Sequence, residues 1–266
     1  MIERDKKIGI VTGAASGLGY ELALLLAKDG YDLILADIDA DKLQQAKENL
    51  ASQYASEIQL IVKDLSKSNV AEQIFEATQG KPIDVLINNA GFGIFGTFSN
   101  TDWQREMDML NLHVMTTTHL TKLVLKGMLE RGEGKILNMS SLAAFQPGPL
   151  MSLYYASKAY ILSFSEAIAN ELKGSGVTVT CLCPGQTKTS FQQVVSNGAD
   201  ASNNKIKFNI GCPKEVAKYG YEAMLKGKVV AVPGRINRFL SRLPRFLPRR
   251  TATAIIRKIQ EKNRDQ

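Results

Sequence analysis

The chain has 266 residues, 44% of them hydrophobic and 22% charged, and carries a formal net charge of +7. Those values fit one soluble α/β domain that can bury a full sheet, and they exclude a disordered or fibrous chain. No run approaches the roughly 18 apolar residues of a membrane span. The polar stretch Met1 to Lys7 leads straight into a strand without a signal-peptide pattern, so the expected setting is the reducing cytoplasm.

The positive charge is local. Residues 234–266 hold ten Lys/Arg against Glu261 and Asp265, a balance of +8, whereas the first 233 residues hold 23 basic and 24 acidic side chains. A near-neutral body does not call for a nucleic-acid partner. The chain divides into a catalytic-size body, 1–233, and a basic extension, 234–266, with no internal linker or repeat.

Apolar runs of strand length alternate with helix-period segments. Ile8–Thr12 reads as a strand, followed by a glycine turn and a helix from about Gly17 to Asp29. Tyr31–Asp37 is a strand and Asp39–Gln53 a helix; Ile58–Lys63 is a strand and Ser66–Thr78 a helix. Ile83–Asn88 is the fourth strand, followed by two helical stretches, about 99–114 and 116–131. Lys135–Ser140 is a strand, Tyr154–Lys173 a helix, Val177–Cys183 a strand, Pro213 opens a helix, and Lys228–Val232 is a seventh strand. This alternation predicts a Rossmann-type doubly wound parallel sheet of about seven strands with helices on both faces. In such a sheet, ligands bind beyond the carboxyl ends of the strands.

The first strand ends in Thr12-Gly13-Ala14-Ala15-Ser16-Gly17-Leu18-Gly19. Glycines let the backbone turn tightly and approach a pyrophosphate, and the following helix offers free N–H groups and a positive dipole end. The second strand ends at Asp37. A carboxylate there can accept from both adenosine ribose hydroxyls and repels a 2′-phosphate, and neither Ser16 nor Ile38 is basic. The expected cofactor is therefore NAD. Asp39 suits the role of helix cap better than Asp37.

The glycine turn resembles that of the classical short-chain dehydrogenase/reductase family. Asn88-Asn89-Ala90-Gly91, Tyr154-Tyr155-Ala156-Ser157-Lys158 and Pro184-Gly185 follow in that family's order and spacing, so the likeness covers about residues 6–232. It implies an oxidoreductase that moves a hydride between NAD(H) and a carbonyl or secondary alcohol. Tyr154 and Lys158, four apart, would share one helix face, and the cation is expected to lower the phenol pKa so that Tyr154 can exchange a proton. The family's serine lies thirteen residues before the tyrosine, which points to Ser141, with Ser140 as runner-up. Asn111 matches a fourth catalytic member.

For the cofactor, the resemblance implies Gly13, Ser16, Gly17, Leu18, Gly19 and Asp37. It adds Asp64 and Leu65 at the adenine, and Asn89, Ala90 and Gly91 along the cofactor backbone. Tyr154 and Lys158 also face the cofactor, and Pro184, Gly185, Thr187 and Thr189 lie near the carboxamide. Gln186 departs from the family, which often has proline there. A homodimer or homotetramer is expected by resemblance. Alternatives are an NADP-preferring carbonyl reductase and a low-activity dinucleotide sensor or scaffold. Epimerisation on tightly held NAD usually needs a larger substrate domain than this length leaves room for.

Three loops should wall the substrate pocket: Phe92–Phe98, Leu142–Leu153 and about Phe191–Ile210. Phe92, Phe95, Phe98, Phe145, Leu150, Met151 and Phe191 point to an apolar substrate. His113 and His119 have no partners at metal spacing and read as surface or packing residues. Cys181, Cys183 and Cys212 lack zinc or CxxC spacing and read as small buried hydrophobes, so no metal is expected. The basic tail repeats apolar residues at helical spacing: Ile236, Phe239, Leu240 and Leu243, then Ile255, Ile256 and Ile259. Such a segment can lie over the active site, pack across a subunit interface, or make peripheral contact with an anionic membrane.

Overall fold

A computed structural model describes residues 6–187 and 211–262. Its centre is a parallel sheet of β1 (Ile8–Thr12), β2 (Asp32–Asp37), β3 (Ile58–Val62), β4 (Val85–Asn88), β5 (Gly134–Met139), β6 (Val177–Leu182) and β7 (Val230–Ala231). The strand order is β3-β2-β1-β4-β5-β6-β7, and every neighbouring pair is parallel. The helices are α1 (Gly17–Lys28), α2 (Ala40–Ala51), α3 (Val70–Glu76), α4 (Trp103–Leu110), α5 (Thr117–Arg131), α6 (Ser152–Glu171), α7 (Pro213–Leu225), α8 (Arg235–Arg242) and α9 (Arg249–Lys262).

Strand residues alternate between two buried layers, as the pleat requires. Val11, Ile87 and Leu137 face one side with Leu22 and Leu26 of α1, Leu43 of α2, and Tyr221 of α7. Ile10, Leu86 and Ile136 face the other with Ile74 of α3 and Leu120 and Val124 of α5. Both sides of these strands are therefore apolar, which explains their near-continuous hydrophobic runs. The chain reverses its winding direction between β1 and β4, which places a crevice at their carboxyl ends.

Several boundaries differ from the sequence reading. The third helix is shorter than Ser66–Thr78, because Asp64 Oδ1 accepts from the Ser66 amide and hydroxyl and holds residues 64–66 in a turn. The helical stretches near 99–114 and 116–131 join without a break through a π-helical turn, Asn111–Thr116. Helix α6 starts at Ser152, which puts Tyr154 in its first turn. The edge strand β7 pairs only at Val230 and Ala231, not over Lys228–Val232. Asp39 does cap α2, accepting from the Lys42 amide at 3.1 Å.

Candidate active site

The β1–α1 turn works only with small residues. Gly13 and Gly17 have φ of +66° and +57°. A Cβ on Gly19 would lie 1.9 Å from the Gly13 carbonyl oxygen. This close approach lets α1 begin at the rim of the crevice, where its first-turn N–H groups lack intrahelical acceptors. The Asn89 side chain braces the turn by donating from Nδ2 to the carbonyls of Thr12 and Gly13, both at 3.0 Å. Thr12 Oγ1 in turn accepts from the amides of Asn89 and Ala90.

Asp37 closes the same end. Its Oδ2 accepts from the Ala15 amide at 2.9 Å and its Oδ1 from the Asp39 amide at 3.1 Å. A carboxylate has further lone pairs for a ligand hydroxyl. Lys63, next to Asp37 through a backbone hydrogen bond, also lines the crevice. The sequence reading considered only residues 16 and 38 as basic positions. Lys63 follows β3, and its nearness to Asp37 comes from β2–β3 pairing.

The crevice opens into a cleft of about 990 Å³. Of the candidate residues, Gly13, Ser16, Leu18, Asp37, Asp64, Leu65, Asn89, Ala90, Gly91, Ser141, Tyr154, Lys158, Pro184, Gly185 and Thr187 line it. Gly17 and Gly19 shape its wall from behind. Asn111 opens the π-helical turn and is not among the lining residues. Thr189, and the loop of about Phe191–Ile210, lie outside the described residues.

The two serines at the end of β5 have different roles. Ser140 Oγ donates to the Lys158 carbonyl at 2.8 Å and is buried. Ser141 hydrogen-bonds the Tyr154 phenol and accepts from the Ala143 amide. The Lys158 ammonium donates to the Met139 carbonyl at 3.0 Å and stands 5.8 Å from the centre of the Tyr154 ring. Burial pulls the Lys158 pKa down to about 8.

Burial also pushes Tyr154 up to about 12, against the opposing effect of its Ser141 hydrogen bond. The expected lowering of the phenol pKa is therefore absent. Desolvation dominates, and the ammonium is engaged by a carbonyl instead of sitting at the phenol oxygen. The phenol of Tyr154 therefore keeps its proton at neutral pH.

His113, read from the sequence as a surface or packing residue, is a packing residue beside the site. It is fully buried, and its ring meets Tyr154 edge-on at 6.0 Å. The Ser157 hydroxyl donates to the Tyr154 carbonyl at 2.8 Å, so the 2.9 Å contact between His113 Nδ1 and Ser157 Oγ has the ring as donor. Nε2 then carries the lone pair and has no hydrogen-bond partner among the described residues. A Cβ on Gly91 would lie 2.6 Å from that nitrogen and 3.4 Å from Lys158 Nζ. Burial, then the Lys158 charge, holds the His113 pKa well below the usual value. A lone histidine in a helix-period segment gives no sequence signal for this placement. His119 is at the surface beside Glu72.

The roof of the cleft comes from the tail. Leu240 and Leu243 at the end of α8, Leu247 in the turn, and Ile255, Ile256 and Ile259 of α9 line it together with Phe92 and Met151. Gln260 Nε2 donates to the Tyr155 phenol at 2.8 Å, and Asn237 packs on Gly185. Phe95, Phe98, Phe145 and Leu150 are not lining residues, and Phe98 is exposed. The cysteine reading holds for Cys181 and Cys183, which are buried with sulfurs 3.7 Å apart, but Cys212 is exposed. No metal-binding cluster of His, Cys, Asp and Glu occurs among the described residues.

The profile described as short chain dehydrogenase matches residues 7–200. The chain belongs to the short-chain dehydrogenase family. Among curated relatives, it is 35% identical over 190 residues to a very-long-chain 3-oxoacyl-CoA reductase of Anas platyrhynchos, a match covering 70% of this chain and 61% of that one. It is 30% identical over 190 residues to 17-beta-hydroxysteroid dehydrogenase type 3 of Mus musculus, covering 71% and 62%. The match thus spans about three-fifths of each relative's length. Among solved structures, a short-chain dehydrogenase from Sphingobium yanoikuyae in complex with NADPH superposes with a TM-score of 0.80 at 25% identity, over 88% of this chain and 91% of that one.

Proposed function

We propose that this chain reduces a ketone on a bulky or long apolar substrate, or oxidises the matching alcohol, with NAD(H). The observation that carries the reading is the meeting of Ser141, Tyr154 and Lys158 on the floor of a cleft whose roof is aliphatic. A bound nicotinamide dinucleotide would supply or accept the hydride. The α1 N-terminus with Gly13, Ser16, Gly17, Leu18 and Gly19 would hold its pyrophosphate, and Asp37 its adenosine ribose. Asp64 and Leu65 would flank the adenine. Asn89, Ala90 and Gly91 would run along its middle, and Pro184, Gly185 and Thr187 would meet the carboxamide, with Thr189 as the remaining candidate.

In the reducing direction the carbonyl carbon gains the hydride and its oxygen takes the proton from the Tyr154 phenol. Ser141 donates to the same oxygen and orients it. Lys158 stabilises the phenolate left behind, and solvent returns the proton. Asn111, at the π-helical turn, is a candidate for that return path. The aliphatic roof excludes water from the reacting carbon and accepts an acyl chain or a fused-ring body. The relatives named as 3-oxoacyl and steroid enzymes support that class.

A second reading is preference for NADPH, favoured by Lys63 beside Asp37 and by the NADPH complex of the Sphingobium relative. The experiment is fluorescence titration with NADH and NADPH, then assays with a 3-oxoacyl thioester and a 17-ketosteroid. Tighter NADH binding that Asp37→Ser abolishes supports the NAD reading. Tighter NADPH binding that Lys63→Ala abolishes overturns it. Binding of neither overturns the enzyme reading.

A further inference from the structure

Helix α8 is inverted. Its eight residues, with Leu243 that follows, divide into three sides at roughly 100° per residue. Asn237 and Ser241 form the side that is buried, against the Pro233 carbonyl and the Gly185 turn. Ile236, Phe239, Leu240 and Leu243 form a second side, and Arg235, Arg238 and Arg242 the third. The helix therefore buries polar groups and exposes an apolar side, with Ile236 at 48% and Phe239 at 63% exposure. Phe246, in the turn that follows, is 83% exposed. Leu240 and Leu243 carry the same apolar stripe over the lip of the cleft.

Among the described residues, the charge around this stripe is uncompensated. Arg235, Arg238, Arg242, Arg245, Arg249 and Arg250 are exposed, and none has a carboxylate partner among the described residues. Isolated exposed hydrophobes are ordinary, but a contiguous patch ringed by arginine marks a binding face.

We infer that this face docks on an anionic lipid bilayer, with Ile236, Phe239 and Phe246 in the acyl boundary and the arginines among the headgroups. Charge complementarity selects this occupant. A second copy applying the same patch about a two-fold axis would bring six exposed arginines against six more. A bilayer supplies negative charge and apolar depth in the layered arrangement this surface has. The stripe's continuity with the cleft lip places the opening at the lipid boundary. The inference concerns binding alone and holds whether or not the catalytic reading does.

The test is co-sedimentation of the full chain with vesicles of phosphatidylcholine alone and of a phosphatidylcholine and phosphatidylglycerol mixture, at rising salt. Binding to the anionic vesicles, lost as salt rises, is expected. Arg238→Gln, Arg242→Gln and Arg245→Gln should each weaken it by up to about fivefold. Phe239→Ser with Phe246→Ser should weaken it by tenfold or more at unchanged melting temperature, as exposed positions allow. Four outcomes would overturn the inference. They are no anionic-vesicle binding by the unaltered chain at low salt, equal binding to both vesicle types, a solution dimer that the Phe239→Ser and Phe246→Ser pair dissociates without any vesicle binding, and binding of an RNA homopolymer in place of vesicles.

Discussion

His113 Nδ1 stands 2.9 Å from the hydroxyl of Ser157, which lies one turn of α6 after Tyr154 and directly before Lys158. The contact fixes the tautomer, because the single proton on Ser157 is already given to the Tyr154 carbonyl. A neutral imidazole is thereby built into the wall behind the proton donor.

A pH dependence of stability follows. The folded-state pKa of His113 is lowered by burial and by the Lys158 charge, while the unfolded chain titrates near the ordinary value of about 6.5. The unfolded state therefore binds the extra proton first. The stability tied to the neutral ring is fully present above that ordinary value and is lost as pH falls below it, by up to about 1.4 kcal/mol per pH unit. Melting temperature measured from about pH 8 to about pH 5 should fall on the acid side, and His113→Gln should flatten that limb. An unchanged limb in the variant would place the titrating group elsewhere.

The two adjoining tyrosines should separate cleanly. Tyr154→Phe removes the phenol hydrogen-bonded to Ser141 and should cut turnover by roughly 10²- to 10⁴-fold while leaving dinucleotide affinity intact. Tyr155→Phe loses the Gln260 hydrogen bond, worth about 1 kcal/mol, and should alter substrate KM far more than kcat. Steady-state kinetics on both variants decides between them. Equal losses in kcat would contradict the assignment.

Lys158 should set the alkaline limb of the reducing reaction. Its pKa is pulled down to about 8 by burial, whereas Tyr154 holds its proton to about 12. As pH rises through about 8 the ammonium is lost before the phenol proton is, and kcat/KM for reduction should fall there. Cys181 and Cys183 oppose this lowering electrostatically, but burial is the larger effect. Lys158→Arg, which stays charged, should lower the rate and abolish the limb near that value. A limb that persists in the variant would assign it to another group.

Glycine substitutions in two turns should differ sharply in cost. Gly19→Ala sets a methyl 1.9 Å from the Gly13 oxygen and should displace the whole turn, destabilising by about 3 kcal/mol or more and abolishing dinucleotide binding. Gly30→Ala meets nothing within 4 Å and pays only for its φ of +82°, about 1 kcal/mol. Thermal melts with and without NADH separate the two.

The sheet and the cleft floor were legible from the sequence for a physical reason. Strands buried on both faces must be continuous apolar runs, and a turn such as Gly13–Gly19 tolerates few residue types. The floor residues Ser141, Tyr154 and Lys158 were legible through the family resemblance, in the order and spacing of its motifs. What the sequence hid depends on pairing across the sheet or on packing at a distance. Lys63 reaches Asp37 only because β3 lies beside β2. His113, in the π-helical turn, meets Ser157 of α6 across 44 residues of sequence. The tail's amphipathic pattern announced an apolar face but not that α8 would turn Asn237 and Ser241 inward and leave Phe239 outside.

The Asn89 amide has a mechanical consequence. By holding the Thr12 and Gly13 carbonyls with one group, it pins the end of β4 to the turn after β1, so the two halves of the crevice floor share a joint that cannot flex. The roof is tied to the floor by softer contacts, the Gln260–Tyr155 hydrogen bond, the seat of Asn237 on Gly185 and the packing of Ile256 against the cluster of Met151, Tyr154 and Tyr155. Any breathing that admits a bulky guest therefore belongs to the helices above it, and the floor beneath stays a fixed anvil.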